Sequence, residues 1–142
     1  MMKPRFLGTV EINGQAVGVF TPPQEPDFIW VNIDELAAAI SSDSATSKML
    51  SKFARNVPFL KPLTMAVHGS RLVAIGPNQL AQGLCACIDQ RNGYKVANPD
   101  EWNAGPLTLK FLVAAADAQE AYAPLSFAGM LTAFKLQGMA HE

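Results

Sequence analysis

Asn13-Gly14 stands between two runs of strand formers, with Leu7, Val10 and Ile12 before it and Val17, Val19 and Phe20 after it. A two-residue turn that needs positive φ at both central positions closes an antiparallel pair, and Asn-Gly is the dipeptide best suited to it. Residues 5–20 are therefore expected to form a β-hairpin. A second hairpin is expected over 63–75. There Leu63, Met65 and Val67 alternate, His68-Gly69-Ser70 turns the chain, and Leu72, Val73 and Ile75 return. Two hairpins commit the sheet to antiparallel pairing, so the fold class that follows is α+β.

The segments between the hairpins read as short helices and loops. Thr21 to Pro26 holds three prolines and is a loop, and Phe28 to Val31 is a short buried strand. Asn32 or Asp34 can cap a helix that runs to Ile40, with Leu36, Ala37 and Ile40 facing inward. Ser41 to Ser47 is turn-like. A helix fits Ala45 to Val57, and Pro58 stops it. After Gly76-Pro77, with proline suited to a first helical turn, a helix is expected from Asn78 to Gln90. It carries Leu80, Leu84 and Cys87/Ile88 on one face. Asn92-Gly93, Asn98-Pro99 and Gly105-Pro106 make 92–106 a loop. Residues 107–122 form an Ala-rich helix, although Leu107 to Phe111 also alternate like a strand. Ser126 to Gln137 is the clearest helix, with Gly138 as its C′ residue. The organisation expected is one domain: a hairpin-and-helix body over 1–91, the 92–106 loop, and a C-terminal helical pair over 107–142.

Composition excludes several classes. Of the 142 residues, 49% are hydrophobic and 16% charged, too apolar for a disordered chain. No apolar stretch approaches the roughly 20 residues that span a bilayer, so no membrane role is expected. No long apolar run follows Met1-Met2-Lys3-Pro4-Arg5, so no secretory signal is read there. Cys85 and Cys87 are two apart on a helix and point in different directions, which argues against a mutual disulfide. Reduced thiols fit a cytoplasmic setting. Both cysteines read as core residues. With His68 and His141 as the only histidines, no metal site and no cofactor are expected.

The net charge of −1 hides a segregation. Residues 1–43 set two bases against six acids. Residues 44–88 hold Lys48, Lys52, Arg55, Lys61 and Arg71 with no acid. Residues 89–142 set four bases against six acids. On the helix at 45–57, Lys48, Lys52 and Arg55 fall within about 60° of one another. Met49, Leu50, Phe53 and Val57 lie opposite and are expected to face the core. Cations and hydroxyls on one helix face suit phosphate contacts. Asn56 and Arg55 are the nearby candidates for reading base edges. The candidate nucleic-acid set is thus Lys48, Lys52, Arg55, Asn56, Lys61 and Arg71, expected to converge in one exposed patch.

The run from Phe28 to Ile40, FIWVNIDELAAAI, follows a hairpin and precedes Arg55-Asn56-Val57-Pro58-Phe59. Over residues 10–90 this pattern, with the later strand-into-helix stretch from Leu72 to Leu84, resembles the KilA/Bro group of phage and viral regulatory domains. The chain departs from that group in lacking a Leu-Gly turn after the first helix and in its low basicity. The resemblance implies a mobile-element regulator that binds DNA or a repressor protein.

The remaining chemistry-bearing residues are sparse. Asp100-Glu101 can be read as an acid/base pair or as the opening of a helical turn. No serine-nucleophile elbow and no phosphate-loop glycine spacing occur. Trp30 and Trp102 read as core anchors. The C-terminal helices have few charges, Lys110, Asp117, Glu120 and Lys135, for the apolar surface they carry. Phe127, Met130, Leu131, Phe134 and Leu136 are therefore the candidate interface, and a homodimer is the expected assembly. The leading reading is a non-enzymatic regulatory or interaction protein whose basic face meets nucleic acid. Its alternatives are a structural or inhibitory protein-binding module with no nucleic-acid role, and a small enzyme.

Overall fold

A computed structural model describes residues 3–56, 63–95 and 104–139, without the side chains of 136–139. The first hairpin forms at the expected turn. β1 (Phe6–Ile12) and β2 (Gln15–Phe20) pair antiparallel, with Val10 opposite Val17 and Ile12 opposite Gln15. Asn13 and Gly14 both take positive φ, at 51° and 79°. Asn13 Nδ2 also donates to the Ala39 carbonyl and ties the turn to the helix beneath it.

β3 (Trp30–Asn32) adds to β2, and α1 (Ile33–Ile40) follows without a break. Of the two capping candidates, Asn32 is the one used: its Oδ1 accepts from the Glu35 N–H at 3.0 Å. β3 ends at Asn32, where α1 begins. Glu35 of α1 reaches back to β2, its Oε1 accepting from Gly18 N at 2.8 Å.

α2 (Ser44–Arg55) is capped by Asp43, whose Oδ1 accepts from the Thr46 N–H at 2.7 Å. The second hairpin is β4 (Thr64–His68) and β5 (Arg71–Pro77). His68 therefore ends a strand rather than sitting in the turn, and Pro77 closes β5 before α3 (Asn78–Arg91) begins. β5 pairs with β3, so the five antiparallel strands run in the order β1-β2-β3-β5-β4. The fold is α+β.

The two sides of the sheet bury different clusters. Val10, Ile12, Val17, Val19 and Val31 join Leu36, Leu84, Phe111 and their neighbours in the main core against the helices. Phe20, Trp30, Ala66 and Ile75 form a second cluster on the other side. The far hairpin closes over this second cluster: the His68 ring stacks on Phe6 at 3.9 Å and meets the edge of Phe20. The sheet is curled enough to bring its two edge strands, β1 and β4, together there. Trp30 is buried and Asp27 accepts from its Nε1, as suits a core anchor with a polar edge.

α4 (Pro106–Tyr122) is helical from its first residue, so the alternating start at Leu107 to Phe111 does not become a strand. The deciding contact comes from α3. Asp89, 4% exposed, accepts from Leu107 N and Thr108 N at 2.9 Å each, and from Thr108 Oγ1 at 2.7 Å. A carboxylate on these N–H groups satisfies orphan donors and complements the helix dipole. Any Cβ at Gly105 would overlap the Asp89 carboxylate, so a glycine precedes the helix. Gln119 then ties α4 to the residue that enters β3, its Oε1 accepting from Ile29 N at 2.8 Å.

α5 (Phe127–Met139) runs through Gly138, which is therefore inside the helix and not its C′ residue. Ser126 Oγ accepts from Gly129 N and caps its first turn. Two core expectations fail. Cys87 is exposed while Cys85 is buried, because the buried arc of α3 runs from Leu80 and Leu84 through Ile88, Ala81 and Cys85 to Asp89, and Cys87 falls past its other edge. Met49 and Phe53 are each 51% exposed, because α2 buries the arc of Thr46, Leu50 and Ala54 instead. Val57, Trp102, Asp100 and Glu101 lie outside the described residues.

Candidate functional site

Two surfaces are candidates, one on α2 and one on α4–α5. On α2, Lys48 and Lys52 stand one turn apart and exposed, with no ion pair among the described residues. Arg55 is engaged differently. Its guanidinium forks onto Asp34 of α1, Nη1 to Oδ1 and Nη2 to Oδ2, each at 3.0 Å, and also donates to the Ser51 carbonyl. The Arg55 hydrogen bonds hold the Asp34 carboxyl below its ordinary range. The pair lies beside the arc of Thr46, Leu50 and Ala54 that α2 buries, the packing that leaves Met49 and Phe53 exposed.

Asn56 is not aimed outward for base reading, since its Nδ2 donates to the Lys52 carbonyl at 2.7 Å and closes its own helix. Arg71 opens β5 beside His68. By strand alternation it shares the face of Val73 and Ile75, opposite the face that the helices cover. Lys61 lies outside the described residues. Of the five expected nucleic-acid contacts among the described residues, only Lys48 and Lys52 come together as a basic pair with no ion-pair partner there, flanked by exposed Met49 and Phe53.

The second surface is built by α4 and α5. α5 meets the body through Ala133, which is buried, and through Phe134, whose ring meets the edge of Phe28 at 5.0 Å. That contact leaves a groove of about 440 Å³ between the two helices. Leu112, Ala115 and Ala116 of α4, Met130 and Phe134 of α5, and Phe28 line it. Beside the groove α5 presents Phe127 at 79%, Leu131 at 55% and Phe134 at 58% exposure. Their i, i+4, i+7 spacing makes one stripe along the helix. Met130 is partly exposed, and the Leu136 side chain lies outside the described part. On α4, Leu109 and Val113 continue the apolar surface outward.

Groups suited to covalent or metal chemistry are not gathered. No set of three or more His, Cys, Asp or Glu side chains that could hold a metal occurs among the described residues. Burial pushes the Cys85 thiol up to about 12, with Asp89 and Cys87 adding to the shift, which keeps it protonated at neutral pH. Asp89 borders a cavity of about 570 Å³, together with Gln82, Tyr94, Lys95 and Thr108. Its carboxylate is taken up by the α4 N-terminus.

Sequence reasoning missed Asp34, Glu35, Asp89 and Gln119 as structural keystones. Asp34 carried a partial signal, as an acid in a first helical turn. For Asp89 and Gln119 no local signal exists, since their partners lie 18 to 90 residues away in the chain. No helix among the described residues is long and apolar enough to cross a membrane. No family model, curated protein or solved structure matches the chain.

Proposed function

We propose that this chain is a non-enzymatic interaction protein that docks on a protein partner through the α4–α5 surface. The observation that carries the reading is the stripe of Phe127, Leu131 and Phe134, exposed along a helix whose buried side chain among the described residues is Ala133. Large apolar side chains held out of the core in one contiguous row mark an interface far more often than an isolated exposed leucine does. The resemblance of residues 10–90 to phage and viral regulatory domains supports a regulatory role. Free thiols support a cytoplasmic one.

Oxidative footprinting at submicromolar concentration tests the docking face. Phe127, Met130 and Phe134 are expected to label readily. Protection of all three in a dilute sample that sediments as a 15.3 kDa monomer would show that the chain covers the face itself, and would end this reading.

A second reading keeps nucleic acid as a partner of α2, favoured by the free pair Lys48 and Lys52. Its test is DNA binding at about 50 mM salt, where phosphate contacts are strongest. Absence of binding there removes it.

A further inference from the structure

Resting on the docking reading above, we infer that the partner on the α4–α5 face is a second copy of this chain, related by a two-fold axis. The first argument is shape. The face carries a projection, the Phe127 ring, and beside it a recess of about 440 Å³ lined by Leu112, Ala115, Ala116 and Met130. An isologous interface needs knob and hole on the same surface, because a two-fold axis inserts each copy's knob into the other's hole. The two contacts then form together and the assembly closes at two chains.

The second argument is area. Leu109, Val113, Phe127, Met130, Leu131 and Phe134 are each between 41% and 79% exposed. Taking roughly 200 Å² for a full large side chain, they present on the order of 600 Å² of apolar surface. A standard interface covers about 800 Å² per partner, its remainder being polar rim. The exposed Asp117, Glu120, Lys110 and Lys135 supply that rim.

The third argument is charge. Those four side chains are two cations and two anions, so the face is neutral overall. A copy of the same face meets no net repulsion, since each copy offers both signs, with Glu120 lining the groove itself. A strongly acidic or basic partner would find no complementary field here.

Sedimentation velocity of the full chain from about 1 to 100 µM, with Met130 oxidation read in the same samples, tests the inference. A species of twice 15.3 kDa is expected, with Met130 protected as it forms. Phe127→Asp and Leu131→Asp, both on exposed positions, should keep the thermal melt of the dilute monomer and lose at least about tenfold in dimer affinity. Leu72→Asp on the exposed side of the second hairpin should leave the dimer intact. A dimer that survives Phe127→Asp and Leu131→Asp unchanged overturns the interface. A 15.3 kDa species at 100 µM overturns the second copy as partner. If Met130 is then oxidised, docking on a different protein still stands; if it is protected, the chain's own residues cover the groove and both readings fall.

Discussion

Asp89→Asn should cost about 2–4 kcal/mol at pH 7. Asp89 is buried and accepts three hydrogen bonds from the start of α4. Asparagine keeps one acceptor, which can hold Leu107 N. Its amide NH2 then faces Thr108 N–H and the threonine hydroxyl, where Oδ2 had accepted both. A hydrogen bond to a charged group contributes about 1.5–3 kcal/mol, and a buried donor left without a partner costs about 1–3 kcal/mol. The hydroxyl can rotate to donate elsewhere, but the N–H cannot. The lost charge at the helix N-terminus adds roughly 0.3–1 kcal/mol. Urea titration followed by circular dichroism measures the difference. At roughly 2–4 °C per kcal/mol for a chain near this size, the melting temperature should fall by on the order of 10 °C.

The pH dependence follows from the same contacts. Burial pushes the Asp89 carboxyl up, but the Thr108 and Leu107 hydrogen bonds outweigh it and leave its pKa below the ordinary value. A depressed carboxylate contributes stability that is complete above its unfolded pKa, about 3.9, and lost as pH falls through the folded value. The gap between parent and variant should therefore be constant from pH 5 to 7 and narrow below about pH 4. A variant within about 0.5 kcal/mol of the parent at pH 7 would refute the account of Asp89 as the cap of α4.

Other outcomes can be checked alongside. Glu35→Ala should cost about 1–2 kcal/mol by stranding the Gly18 N–H, while Glu35→Gln, which keeps the acceptor, should recover most of it in the same titration. Asp34→Asn should cost less than about 1 kcal/mol, since the ion pair is half exposed. If α2 meets DNA, that variant frees Arg55 and should tighten binding, while Lys48→Ala with Lys52→Ala should flatten the salt slope by roughly 0.9 per lost contact. A thiol reagent should modify the exposed Cys87 at once and the buried Cys85 only on unfolding; equal rates would contradict the assigned arc of α3.

Local chemistry made much of the fold readable. Asn13-Gly14 turned the first hairpin where its positive φ values require, and the helix periods located α1, α3 and α5 to within a few residues. These features depend on residues within one turn or one strand pair, so a single sequence contains them. The site was less readable, because helix orientation depends on neighbours. The wheel of α2 placed Met49 and Phe53 inward, but the body of the fold receives the arc of Thr46, Leu50 and Ala54 instead, and Arg55 pairs beside it with Asp34, 21 residues earlier. Strand pairing put Arg71 on the side of the sheet that the helices do not cover, which no count of charges along the chain contains. On α5 the periodic apolar face was plain from Phe127 to Phe134. That it faces outward was decided by tertiary contacts: the main core is filled by Phe111, Ala115 and Ala118 of α4, and among the described residues of α5 only Ala133 is buried.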